Sequence, residues 1–166
     1  MKTLPNKPLT RNITLYEMIE GKLPAEGVKM NWENISEFDI EKAQQIANLI
    51  QAKRDDINKA FKEKNKFQDI GLTITSGFRC KAWEAHQGRS GNSRHTQSDA
   101  MDIQPIKCSK ELAVEILQYL FEKGKSTRTG HLGGFAIKKP SYKDGKVMAV
   151  GFLHYDLRGV YARWEY

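Results

Sequence analysis

The ten residues Ser93-Arg-His-Thr-Gln-Ser-Asp-Ala-Met-Asp102 constrain this chain more than any other stretch. They carry a histidine and a carboxylate that can serve one metal ion only if the backbone between them turns and then extends. His95 and Asp102 are seven residues apart, whereas ligands on one helix face sit three or four apart. A turn running into a strand lets both converge. The stretch Val150-Gly-Phe-Leu-His-Tyr-Asp-Leu-Arg158 reads as a strand, so alternate side chains share a face and Phe152, His154, Asp156 and Arg158 point the same way. His154 supplies the third donor. Two imidazoles and one carboxylate leave a tetrahedral zinc an open position for water, the arrangement of catalytic sites rather than closed structural ones. The expectation is one Zn2+ held by His95, Asp102 and His154.

Around this pair of motifs the chain supplies enough for one domain. At 166 residues and 39% hydrophobic it can bury a real core and is short for two domains. We expect a single domain over residues 1–166, with 1–35 as a flank and loop and 36–166 as the core. Twenty-seven Lys and Arg against twenty Asp and Glu give +7, a charge that favours an anionic partner: nucleic acid, an anionic membrane or an anionic wall polymer. The start, Met1-Lys-Thr-Leu-Pro-Asn-Lys-Pro8, lacks the apolar core of a signal peptide, and no apolar run approaches a membrane span. Synthesis in the cytoplasm and no stable membrane association are expected. Cys80 and Cys108 are too few and too far apart for a Cys-based zinc motif, and both read as free thiols.

Taken in order, Thr14-Leu-Tyr-Glu17 has the form of a capping box and predicts a short helix ending near Gly21. Leu23 to Asn34 mixes Pro24, Gly27 and Asn31 without periodicity and reads as loop. Ser36 is expected to open the longest helix. Ile40, Ala43, Ala47, Ile50, Ile57 and Phe61 form its core stripe, broken by Arg54. Its end, Lys62-Glu-Lys-Asn-Lys66, reads as a solvated charged face. Leu72 to Ser76 alternates and is β-branched, a strand that delivers Gly77-Phe78-Arg79 to an edge. A helical turn over Lys81 to Gln87, a strand from Ala100 to Gln104 ended by Pro105, and a helix capped by Ser109 and stopped by Gly124 follow. Gly130-His-Leu-Gly-Gly134 reads as a connector. Beyond it, Asp144-Gly145 signals a hairpin between Phe135–Lys138 and Lys146–Asp156. The pattern predicts an α+β fold, a small mostly antiparallel sheet with helices packed on it.

With Ser76-Gly-Phe-Arg79, Ser93-x-His95, Ala100-x-Asp102-Ile103 and Phe152-x-His154-x-Asp156-x-Arg158 in order, the chain resembles the zinc peptidases that include bacterial D-alanyl-D-alanine carboxypeptidases and phage L-alanyl-D-glutamate endolysins. Leu9 to Glu20 is similar to the family's opening segment, and Ala162-Arg-Trp164 to its usual ending. The resemblance implies the hedgehog/D-Ala-D-Ala peptidase-like fold, and His95, Asp102 and His154 as zinc ligands. It implies that Arg79 holds the substrate or polarises its scissile carbonyl, for which a planar fork of donors suits a carboxylate or developing oxyanion. Ser93 would hydrogen-bond substrate, brace His95 or merely cap the turn; Trp164 would wall the cleft or belong to the core. The implied partner is the peptidoglycan stem peptide, cleaved by a monomer that reaches the wall after phage lysis or from a virion.

Three departures from the family's pattern stand out. Ser98 occupies the place of the usual Gly three residues after the first ligand, and Arg94 that of the usual Gln before it. Gly151 stands where many relatives carry an acidic general base, three residues before the last histidine. Asp156, about 6 to 7 Å along the strand from His154, is the first candidate for that base, with orientation of the His154 imidazole or pairing with Arg158 as its competing roles. Asp99, His86 and His131 are reserves. Two other classes remain: a zinc-holding binding module like the hedgehog signalling domain, and a basic nucleic-acid-binding domain supported only by charge and by loops such as Arg89 to Arg94. The working expectation is no nucleic-acid partner.

Overall fold

The structure is a computed structural model that describes residues 4–126 and 133–166; His131 and most of the 130–134 connector lie outside the described residues. The helices are α1 (Leu15–Glu20), α2 (Ala25–Glu33), α3 (Ile40–Phe61), α4 (Lys81–His86) and α5 (Lys110–Ser126). The strands are β1 (Gly71–Ser76), β2 (Ala100–Ile106), β3 (Gly134–Lys138), β4 (Ser141–Lys143), β5 (Lys146–Ala149), β6 (Phe152–Asp156) and β7 (Ala162–Glu165). Five strands form one sheet in the order β1-β2-β6-β3-β7, and β4 and β5 form a separate two-stranded ribbon. The fold is α+β with a mostly antiparallel sheet, as expected: β3 runs antiparallel to β6 and parallel to β7, and β4 antiparallel to β5. By its internal contacts the chain divides into two compact units, Met1–Gln51 with Ile74–Met101, and Ala52–Thr73 with Asp102–Tyr166.

In the first unit the capping box forms as expected. The Thr14 hydroxyl accepts from the Glu17 amide, the Glu17 carboxylate accepts from the Thr14 amide, and Gly21 ends the helix at φ +52°. Leu15, Met18 and Ile19 are buried on its inner face. The stretch read as loop from Leu23 to Asn34 is instead largely helix α2, opened by Pro24. Its signal is tertiary rather than periodic. The fully buried Asn31 carboxamide donates to the carbonyls of Ile19 and Phe78 and accepts from the Cys80 amide, tying three backbone segments together. Gly27 lets the Trp83 ring lie directly on the helix backbone, where a Cβ would come within 2.9 Å of it. The long helix starts four residues later than Ser36, because Asp39 rather than Ser36 accepts from the first-turn amides of Glu41 and Lys42. The predicted stripe holds at Ala43, Ala47 and Ile50, which are buried in this unit and joined by Ile46, whereas Ile40 at its start is only half-buried.

In the second unit Ile57 and Phe61 continue the stripe, and Arg54, which breaks it, donates to the Ile70 carbonyl. Helix α5 is capped by the Ser109 hydroxyl, but Gly124 does not stop it. That glycine exists for packing, since a Cβ there would collide with the Phe135 ring. Pro105 likewise falls inside β2 rather than at its end. The Asp144-Gly145 turn forms with both residues at positive φ (+51° and +73°), the requirement of a tight hairpin of the I′ class. It joins β4 to β5, however, and the long run to Asp156 is divided at Val150-Gly151, so that β3 pairs with β6 across the sheet.

Candidate metal centre

Each predicted ligand sits on an element whose local chemistry explains its place. A 3-10 turn over Arg94–Gln97 carries His95, and the Ser93 hydroxyl caps it by accepting from the His95 amide at 3.2 Å. Ser98 closes the turn in the left-handed region at φ +60°, which is where the resemblance calls for glycine. A fully buried hydroxyl makes the substitution workable, because Ser98 Oγ accepts from the Asp39 amide at 3.0 Å. The other local departure is matched in the same way. Arg94 makes a two-point ion pair with the buried Asp99 carboxylate. Asp99 therefore has a structural partner of its own.

His95 is buried, and its Nδ1 lies 2.7 Å from the Gly77 carbonyl oxygen. Since a carbonyl only accepts, Nδ1 bears the proton and the lone pair of the neutral ring is on Nε2. Asp102 lies early in β2, and His154 in the middle of β6. His154 Nδ1 is 2.8 Å from Asp102 Oδ1, and its Nε2 is 3.1 Å from Asp156 Oδ2. Burial opposes protonation of His154, but hydrogen bonds and charge from Asp102 and Asp156 outweigh it and raise its pKa above the ordinary value. His95, Asp102 and His154 each offer one ligand atom, and those atoms lie within 4.8 Å of one another.

The predicted strand face is only partly what alternation alone implies. His154 and Asp156 do share surroundings, yet β6 is buried along Leu153–Asp156 because the sheet has neighbours on both edges of it. Asp156 is fully buried and accepts from the Gly134 amide (2.8 Å), the Arg158 amide (3.0 Å), the Arg158 guanidinium (2.9 Å at Nε) and the His154 ring. Burial alone would raise its pKa; these donors overcome that and hold it well below the usual carboxylate range. Trp164 follows from the register of β7. Ala136 on β3 is the partner of both His154 and Trp164, so the two rings flank it and meet at 5.4 Å. The Arg158 guanidinium lies over the Trp164 ring at 4.9 Å.

The donor chemistry fits a zinc ion. An imidazole whose far nitrogen is held by a carboxylate or carbonyl is the usual form of a metal-ligating histidine, and both candidates have it: Gly77 behind His95 and Asp156 behind His154. Of the reserves, His86 is exposed, stacked on Trp83 and 3.5 Å from Glu26. Cys80 and Cys108 are free thiols, both with pKa raised by burial. Sequence reasoning missed Glu84, whose buried carboxylate lies 2.9 Å from Arg79 Nε. Its only signal was a charged residue at an inward position of a very short helix.

Gly151 explains why no acidic side chain stands in its place. It adopts φ +86°, and a Cβ would run into the carbonyl oxygen of Lys138. Its own carbonyl accepts from the Gln104 carboxamide at 2.9 Å. Gly151→Glu is expected to lower stability by about 2–4 kcal/mol, from left-handed strain plus forced displacement of β3, without raising turnover. Urea unfolding checks it, and a variant as stable as the parent would remove the steric argument.

A family model described as Peptidase M15 matches residues 23–132, well over half of the chain. The match includes Arg79, Ser93, His95 and Asp102 and ends before His154. Comparisons with curated proteins and with solved structures give no match.

Proposed function

The chain belongs to the Peptidase M15 family, and on that premise we propose that it is a zinc-dependent peptidase acting on peptidoglycan stem peptides, as a D-Ala-D-Ala carboxypeptidase or an L-Ala-D-Glu endopeptidase. The observation that carries the reading is the set His95, Asp102 and His154, with ligand atoms within 4.8 Å of one another and a hydrogen-bonded group behind each imidazole. These three would hold the metal. Zinc, when bound, supplies Lewis acidity, which brings the pKa of water down to about 7 and polarises a carbonyl.

The chain's own residues do the rest. Arg79 offers a guanidinium to a substrate carboxylate or to the charge that develops on the carbonyl oxygen. Ser93 braces both His95 and Arg79, since its hydroxyl accepts from the His95 amide and from Arg79 Nη2 at 3.0 Å. Trp164 walls His154 on one side. Asp156 is better suited to orienting His154 than to taking a proton, because donors already occupy both its oxygens and favour the charged form. The net charge of +7 suits an anionic wall, and we propose action there after release of the protein from the cell that makes it. Among the described residues no helix is long and apolar enough to cross a membrane.

A second reading has one observation in its favour. Gly151 has no room for the acidic side chain and Asp156 is clamped, so the fold can hold zinc as a binding module without turnover. Mass spectrometry of fragments released from purified peptidoglycan separates the two. The expected result is zinc-dependent release of defined stem-peptide pieces that stops on chelation and returns with added zinc. Loss of terminal D-alanine marks a carboxypeptidase, and a break after L-alanine an endopeptidase. Zinc binding without any cleavage across varied wall types would favour the binding module.

A further inference from the structure

We infer that Glu84 is a positioning residue for Arg79, a role that rests on the peptidase reading above. The Glu84 side chain is 1% exposed and lies between two guanidinium groups, 2.9 Å from Arg79 Nε and 3.0 Å from Arg89 Nη1. Arg79 is itself nearly buried, at 14% exposure, whereas Arg89 is 48% exposed. A guanidinium is a rigid plane, so fixing it at two points fixes the direction of the whole fork. Glu84 holds the Nε side by charge, an ion pair rather than a hydrogen bond, and Ser93 Oγ accepts from Nη2 at 3.0 Å. The Arg79 amide also donates to the His95 carbonyl at 3.3 Å, which ties the arginine's backbone to the turn that carries His95.

The charge count explains the third member. Glu84 with Arg79 alone would be a neutral pair, poorly suited to attract a carboxylate or an oxyanion. Arg89 returns the trio to a net charge of +1, and its backbone N–H donates to the Glu84 carbonyl at 2.9 Å, which holds the loop after α4 against that helix. A buried carboxylate therefore directs Arg79 without cancelling its field. A purely structural ion pair would stabilise the fold but would leave the orientation of Arg79 of no consequence to turnover.

Two measurements separate these roles. In the zinc-loaded protein the Arg79 guanidinium is expected to be rigid, with a high order parameter at its Nε–H in 15N NMR relaxation, and to become mobile in Glu84→Gln. The same variant should lose about ten- to a hundredfold in kcat, the usual effect of removing the group behind an active residue, with zinc content and KM little changed. Added guanidinium should restore part of the activity of Arg79→Ala, and Glu84→Gln on that background should erase the rescue. Should the amide variant fail to fold, Glu84→Asp, which keeps the charge and shortens the reach, takes its place in both arms. Unchanged order of the Arg79 guanidinium and unchanged kcat would overturn the inference. If the parent protein cleaves nothing but the order of the Arg79 guanidinium still depends on Glu84, the peptidase reading fails while the positioning of Arg79 by Glu84 stands.

Discussion

Replacing His154 by alanine is expected to take zinc-dependent hydrolysis to background and to lower zinc affinity by well over the ~100-fold that losing an outer partner of a ligand costs. The change removes the donor that meets Asp102 Oδ1 at 2.8 Å and leaves the Asp156 carboxylate without its imidazole. Two protein donors cannot fix a tetrahedral ion with one open position. Zinc titration in competition with a chromophoric chelator reads the affinity, and fragment release from peptidoglycan reads the activity. Because neighbouring carboxylates raise the His154 pKa, a proton competes for the ring in acid, so zinc loading of the parent protein should weaken as pH falls through that raised value. Full activity in His154→Ala would end the ligand assignment.

The second large effect belongs to Asp156. Asp156→Ala should destabilise the fold by about 3–5 kcal/mol, because it strands a partly buried Arg158 and a buried His154 and leaves the Gly134 amide without its acceptor. For a chain of this size that is a fall in Tm on the order of 10 °C. The folded-state pKa of Asp156 is depressed, so its contribution is present above the ordinary carboxylate value of about 3.9 and is lost as pH falls below it. Asp156→Asn separates structure from chemistry. A positioning role predicts zinc affinity weaker by about 10–100-fold and activity largely recovered at saturating zinc. Activity that stays lost when zinc is saturating would instead mark Asp156 as the proton acceptor.

The candidate site was more legible in the sequence than the fold around it, and the reasons differ by residue. His95, Asp102 and His154 are polar residues at buried positions, and their residue types and order survive any error in element boundaries. The capping box at Thr14 and the turn at Asp144-Gly145 were readable because their chemistry is local. Helix α2 was not, since its stability comes from Asn31 and Gly27 meeting residues 47 to 56 positions away. The run Lys146–Asp156 does hold the partner of β3, but only in its far part, β6, because a turn announces that two strands reverse and not where a long run divides. Gly124 looked like a helix stop and is a seat for Phe135. Gly151 looked like a missing catalytic group, but only the approach of the Lys138 carbonyl shows why the backbone excludes one.

The turn through Ser98 has a consequence for how this chain can be lengthened. From His95 to Asp102 the backbone passes through one 3-10 turn, one left-handed residue and the start of β2. Side chains in a strand alternate, so adding or deleting a single residue there would turn Asp102 to the opposite face of the sheet. The Asp144-Gly145 turn has no such register to keep, as no atom lies within 4 Å of a Cβ added at Gly145 and the adjoining strand β4 is exposed. A fluorophore or affinity tag belongs at that tip. Length variation between natural versions of this fold should gather there and spare the seven-residue step from His95 to Asp102.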